Sequence, residues 1–128
     1  MKLLLDTHAL IWWLNGDEAL SHRAREAIAD EANEVAVSAA SAMEVATKFR
    51  IGKLPDAALL ATDFEAVIAS QGFAELAITV RHARAAGEMK IAHKDPFDRF
   101  LIAQAQAEDM MLVSNEALFD DFTVQRLW

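Results

Sequence analysis

Apolar residues in this chain follow two rhythms, short unbroken runs and stretches repeating every third or fourth position, and the two alternate. KLLLD at 2–6 is a short apolar run that ends on a polar residue, which reads as a buried strand. HALIWWLN at 8–15 has helical spacing and stops at Asn15-Gly16, a turn signal. Ser21 to Glu31 reads as a helix, with Ser21 as its cap and Ala24, Ala27 and Ile28 on one face. EVAVSA at 34–39 is a second strand. A helix is predicted to begin at Ser41, where Ser41 and Glu44 have capping-box spacing, and to end near Gly52. Ala58 to Ser70 reads as one helix, closed by Gln71-Gly72. FAELAIT at 73–79 reads as a strand, Val80 to Ala86 as a helix, and 88–94 as a loop. Pro96 suits the first turn of a helix running to about Glu108. MMLVS at 110–114 is a strand, Glu116 to Phe119 a short helical turn, and TVQRLW at 123–128 a last strand. Strands that alternate with helices imply right-handed crossovers and a mostly parallel sheet covered on both faces, within a single domain spanning 1–128.

The composition, 54% hydrophobic and 25% charged over 128 residues, is that of a folded globular chain. There is no cysteine, which excludes disulfides, thiolate metal sites and cysteine nucleophiles. The apolar runs are too short to span a bilayer. Asp6 and His8 interrupt the apolar N-terminus and no small-residue cleavage site follows, so it does not read as a signal peptide. The default expectation is a soluble cytoplasmic protein. The net charge of −8 argues by itself against a nucleic-acid binder. It is unevenly spread: the stretch 81–99 carries Arg81, Arg84, Lys90, Lys94 and Arg99, either a solvated face or a local phosphate-binding feature.

Ligands of open α/β sheets gather outside the carboxyl ends of the strands. Asp6 closes the first strand. Ser38 and Ser41 follow the second, with Glu44 a turn into the next helix. Asp95 and Asp98 open the helix before MMLVS, and Ser114, Asn115 and Glu116 follow that strand. Carboxylates brought together repel: two unit charges 4 Å apart cost about 4 kcal/mol at an effective dielectric near 20. A cluster of oxygen ligands without cysteine or an i, i+4 histidine pair points to a hard cation, Mg²⁺ or Mn²⁺, whose commonest use in such a site is phosphoryl chemistry. Each acid also has a plainer reading. Asp95 can cap its helix, and Glu44 can complete a capping box with Ser41. Asp6 has no evident cap to make. His8 and His93 read as structural or near the site, and His22 and His82 as exposed helix residues. Of Trp12 and Trp13, the core can use one and a subunit contact the other; Trp128 reads as packing.

LLLDTHALIWWL, SAMEVATKFRIGKL, HKDPFDRFLIAQA and LVSNEALF with VQRLW together resemble the PIN-domain family, and within it the VapC-type toxins of bacterial toxin–antitoxin pairs. The resemblance covers nearly the whole chain. It implies a three-layer α/β/α sandwich with a central parallel sheet and a Mg²⁺-dependent endoribonuclease site. Its three acids fall on Asp6, Glu44 and Asp98, the last because Asp98 to Ala105 fits the family's D-x-x-(L/I)-(I/A)-A-x-A pattern; Asp95 is an extra acid in or beside the metal site. Many members carry a fourth Asp after the penultimate strand. Here Ser114-Asn115 stands in that place, and Asn115 offers an oxygen but no charge, which favours one metal ion over two. On this reading Asn115 positions a water or phosphate oxygen, and Lys94 and Arg99 touch substrate phosphates. The resemblance further implies an antitoxin partner and a homodimer.

Other acid-bearing α/β classes fit less well. A receiver domain needs an adjacent acidic pair after its first strand, and a haloacid-dehalogenase-type phosphatase needs D-x-D where this chain has Asp6-Thr7-His8. The remaining alternative is a degenerate PIN-like domain that only binds protein or RNA.

Overall fold

The computed structural model describes residues 1–90 and 95–128. Lys2–Leu5 (β1), Glu34–Ser38 (β2), Ala74–Leu76 (β3), Met111–Val113 (β4) and Arg126–Leu127 (β5) form one sheet in the order β3-β2-β1-β4-β5. Every pairing is parallel. Between them run the helices Thr7–Asn15 (α1), His22–Ala29 (α2), Ala39–Arg50 (α3), Ala58–Thr62 (α4), Phe64–Ser70 (α5), Val80–Glu88 (α6) and Pro96–Ala107 (α7), with 3-10 turns at Pro55–Ala57 and Ala117–Asp121. This is the three-layer α/β/α sandwich that the alternation predicts.

The central strand explains the layering. Side chains along a strand point alternately to opposite faces. Leu3 and Leu5 join Leu10 of α1, Ala24 of α2, Val45 of α3, Leu60 of α4 and Ile68 of α5 on one side. Leu4 points the other way, onto Leu101, Ile102 and Ala105 of α7 and Phe119. Leu3, Leu4 and Leu5 are each 0% exposed, the mark of a parallel strand covered on both sides.

Several boundaries depart from the sequence expectation. The helix expected over 58–70 is two helices, because Asp63 leaves the helical conformation (φ −151°, ψ 72°) and its carboxylate accepts from the Ala66 N–H to cap α5. The helix expected from Ser41 begins at Ala39, capped by Ser38, whose hydroxyl accepts from the Ala40 N–H; Ser41 and Glu44 therefore form no capping box. The strands expected over 73–79 and 123–128 are cut to Ala74–Leu76 and Arg126–Leu127, at the two edges of the sheet, where only one neighbour supplies hydrogen bonds.

His82, expected on an exposed face, is 1% exposed. It sits at the third position of α6, where its Nδ1 accepts from the Thr79 N–H at 3.1 Å while the Thr79 hydroxyl accepts from the His82 N–H. That is a capping box with imidazole in the role usually taken by Glu or Gln. Because Nδ1 accepts, Nε2 carries the proton and donates to Glu108 at 2.8 Å. Gln104 of α7 lies against the same ring, donates to the Ala77 carbonyl at 3.3 Å and accepts from the Ser38 hydroxyl. One buried chain of polar groups thus ties the end of β2 to α6 and α7.

Gln104→Leu keeps the volume and removes both bonding partners. Leaving the buried Ser38 hydroxyl without Gln104, while the exposed Ala77 carbonyl turns to water, should cost about 1–2 kcal/mol. Urea denaturation is expected to show a lower midpoint with an unchanged slope; an unchanged midpoint would mean the network adds nothing to stability.

Candidate functional site

The strand order places a switch at the centre of the sheet: the chain winds outward from β1 through β2 to β3, then crosses back to β4 on the other side. The crevice outside β1 and β4 is where an open α/β fold binds its ligand. Asp6 is the first residue past β1 and Ser114 the first past β4. The Asp6 N–H donates to the Val113 carbonyl at 3.1 Å, carrying the ladder one residue beyond the strands. Its carboxylate Oδ1 accepts from the Ala9 N–H at 2.8 Å, so Asp6 is after all a helix cap, that of α1. The Ser114 hydroxyl accepts from the Glu116 N–H at 3.0 Å and spends its own proton on the Asp6 carboxylate.

Asp6 is 6% exposed. Its pKa is raised overall from 3.8 to about 6: burial is the main cause, the bonds from Ser114 and Ala9 and the charge of His8 oppose it, and the charge of Asp98 adds to the rise. Asp6, from the N-terminal strand, and Asp98, from the first turn of α7, thus act on each other electrostatically.

Glu44 is also 6% exposed, and both of its oxygens are engaged. Oε1 takes the proton of the Thr7 hydroxyl, and Oε2 takes the Lys48 ammonium. Thr7 Oγ1 lies 3.1 Å from Ser41 Oγ. A hydroxyl has one proton, so with Thr7 donating to Glu44, Ser41 donates to Thr7. Partial burial lowers the Lys48 pKa, but the Glu44 bond and the charges of Glu44, Asp95 and Asp98 outweigh it and raise the value overall. Its Nζ stands 5.9 Å from the centroid of the Phe97 ring, between Asp95 and Asp98 in sequence. Lys48 and Thr7 are parts of the site that sequence reading passed over. Their signals were the i, i+4 spacing of Glu44 and Lys48 and the place of Thr7 directly after Asp6.

The other expected residues divide. Asp95 is the cap of α7, its Oδ1 accepting from the Phe97 N–H at 2.9 Å, and its charge reaches Lys48. Asn115 is exposed beside Ser114. Arg99 turns its guanidinium to backbone: Nε donates to the Ala86 carbonyl at 3.0 Å and Nη2 to that of Met89 at 2.7 Å, which fastens the end of α6 to α7. Lys94 and His93 lie outside the described residues. His8 is exposed and packs on Trp12, with ring centroids 5.6 Å apart. Trp12 meets Trp128 at 5.8 Å and Trp13 meets Phe73 at 6.3 Å, so each tryptophan of α1 has an aromatic neighbour within the chain.

Among the described residues, no three Asp, Glu or His side chains are grouped so that they could hold a metal ion. The donors at the switch point are carboxylate and hydroxyl oxygens, and Asp6 is held in a surrounding that penalises its charge. Mg²⁺ is content with one or two carboxylates and keeps several waters. Oxygen donors of this kind are compatible with a hard cation, which Asp6 and Asp98 would hold; among the described residues they do not form a closed cage of three carboxylates.

The raised Asp6 pKa has a measurable sign. Well below pH 3.8 the carboxyl is neutral in both folded and unfolded chains and folding is indifferent to it. From pH 4 to 6 the unfolded chain gives up its proton while the folded one retains it, so stability falls as pH rises, by about 3 kcal/mol in all. Asp6→Asn keeps an oxygen for Ala9 and has no charge to bury. In EDTA, its stability relative to the parent should climb from near zero at pH 4 to about 2–3 kcal/mol at pH 7 in urea titrations. A difference that does not vary with pH would show that Asp6 is not strained by burial.

Comparison with known proteins follows the same lines. The PIN domain family matches residues 3–124. Among curated proteins, none matches the chain by sequence. Among solved structures, a chain of the VapBC2 complex of Rickettsia felis, bound to a DNA fragment from its promoter, is similar at TM-score 0.70 and 15% identity, covering 100% of both chains. A chain of DNA-bound VapBC from Salmonella typhimurium is similar at 0.67 and 18%, covering 98% of this chain and 96% of that one. A chain of a toxin–antitoxin complex from Klebsiella pneumoniae is similar at 0.61 and 22%, covering 91% and 89%. At these identities the likeness is one of fold. The family match extends over almost the entire sequence, and the chain belongs to the PIN-domain family.

Proposed function

We propose that this protein is a Mg²⁺-dependent endoribonuclease and the toxin of a toxin–antitoxin pair. The observation that carries the reading is the buried Asp6 at the β1–β4 switch point, electrostatically coupled to Asp98 from the far end of the chain. Membership of the PIN-domain family and a fold shared with chains of toxin–antitoxin complexes support it.

When bound, Mg²⁺ (or Mn²⁺) supplies a Lewis acid that neutralises charge on the scissile phosphate and acidifies a bound water. The chain's part is to hold and orient. Asp6 and Asp98 hold the ion. Ser114, by donating to Asp6, fixes one carboxylate oxygen and favours its ionised form. Glu44, with both oxygens engaged, works through water rather than by direct ligation. Asp95 lends charge from the rim, and Asn115 offers an amide to a water or a phosphate oxygen. The ribonucleic substrate reaches a chain of net charge −8, so broad electrostatic attraction is weak and selection rests on a local feature of a single-stranded site or loop.

The partner is an antitoxin. Met43 on α3 and Leu59 on α4 stand exposed on two helices that touch each other, apolar surface of the kind a partner segment covers. A homodimer and a cytoplasmic location belong to the same reading. Among the described residues, no helix is long and apolar enough to cross a membrane.

The test joins binding to chemistry. Mg²⁺ or Mn²⁺ should raise the melting temperature of the free protein. The protein should cleave total RNA only with the ion present, and Asp98→Asn should lower cleavage by about a hundredfold or more with the fold intact by circular dichroism. A flat response to metal together with no cleavage would instead identify a domain that only binds.

A further inference from the structure

Lys48 is the feature that the scheme above leaves without a task. An i, i+4 Glu–Lys pair on a helix is ordinarily a solvated ornament. This one differs in three ways. Its carboxylate is buried and held on its other oxygen by Thr7. Its lysine side chain is half-buried, at 31% exposure. It also reaches across to the first turn of α7, standing over Phe97, with its charge acting on Asp95 and Asp98 as well as on Glu44.

We propose that Lys48 is a resident cation of the carboxylate site, a positioning residue that holds Glu44 away from the divalent ion and sets how tightly Asp6 and Asp98 take that ion. The proposal rests on the metal-dependent reading above. The charges make the case. The charges of Glu44, Asp95 and Asp98 all act on Lys48, and that of Asp98 on Asp6 as well, so four acids share one field; Asn115 brings no charge where a further acid might have stood. Four carboxylates without a cation would repel one another severely. A single Mg²⁺ neutralises two of the four charges. Lys48 neutralises a third, half of what a second divalent ion would bring. The ammonium is covalently tethered, so it is present before any ion or substrate arrives. It offsets the repulsion in the free protein, and its positive charge opposes a divalent ion coming to the same place. Glu44, bonded on both oxygens, is kept from closing onto that ion as a third direct ligand.

Mn²⁺ affinity measured by counting free Mn²⁺ in electron paramagnetic resonance decides the matter, with unmodified protein, Lys48→Met and Lys48→Arg compared at one pH and low salt. Lys48→Met should bind Mn²⁺ about tenfold more tightly than the parent, because a like charge has been removed and Glu44 released. Lys48→Arg keeps the charge and should stay within about twofold of the parent. The sign separates this role from a merely structural one, which would loosen the site and weaken binding. Unchanged or weaker Mn²⁺ binding by Lys48→Met, alongside a parent that binds, overturns the role of Lys48 and leaves the metal-dependent reading standing. A parent that binds no Mn²⁺ and cleaves no RNA overturns both. Should Lys48→Met fail to fold, Lys48→Gln carries the same comparison.

Discussion

Everything distinctive about this molecule follows from one costly act, the burial of a carboxylate at the point where the sheet reverses its direction of winding. Asp6 cannot move out to water, because its backbone is locked into the β1–β4 ladder and its side chain starts α1. Two donors, the Ala9 N–H and the Ser114 hydroxyl, offset part of the penalty, and the remainder shows as a carboxyl pushed well above its ordinary range. Cost of this kind persists at functional positions and is carried by the stability of the rest of the domain. Here the rest is a central strand whose three leucines are wholly removed from water.

The other acids are handled differently, and the contrast is informative. Glu44 is buried as deeply as Asp6 but is fully partnered by Thr7 and Lys48. Asp95 is spent on the cap of α7. The acids that look equivalent along the chain are thus a strained one, a neutralised one, a cap, and Asp98, which shares its field with Asp6. The basic stretch 81–99 is reduced in the same way. Arg84 pairs with Glu88, and Arg99 serves the carbonyls of Ala86 and Met89.

The sequence makes the layered α/β plan legible, because it rests on strong local signals: unbroken apolar runs of three to five residues and helical spacing between them; the acid at the end of the first strand marks where a site would lie in such a plan. What stayed hidden depended on contacts between distant segments. Asp6 shows no cap in sequence because its partner is the turn of helix that it starts itself. His82 reads as exposed because its burial comes from Gln104, more than twenty residues away, and because imidazole rarely fills the third position of a capping box. Ser41 and Glu44 have the right spacing for a box, yet Ser38 begins the helix three residues sooner and frees Glu44 for Thr7. The break at Asp63 is a competition that spacing cannot decide, since a carboxylate can either sit on a helix face or end one helix and start the next. Edge strands shrink because propensity alone does not supply a second neighbour.

The pairing of the first strand with the fourth has a consequence for folding. The wall of the crevice is built from Leu5-Asp6 and Val113-Ser114, two segments separated by more than a hundred residues. Closing a loop of that length costs entropy before its contacts reward it, so the surroundings that bury and orient Asp6 are assembled late.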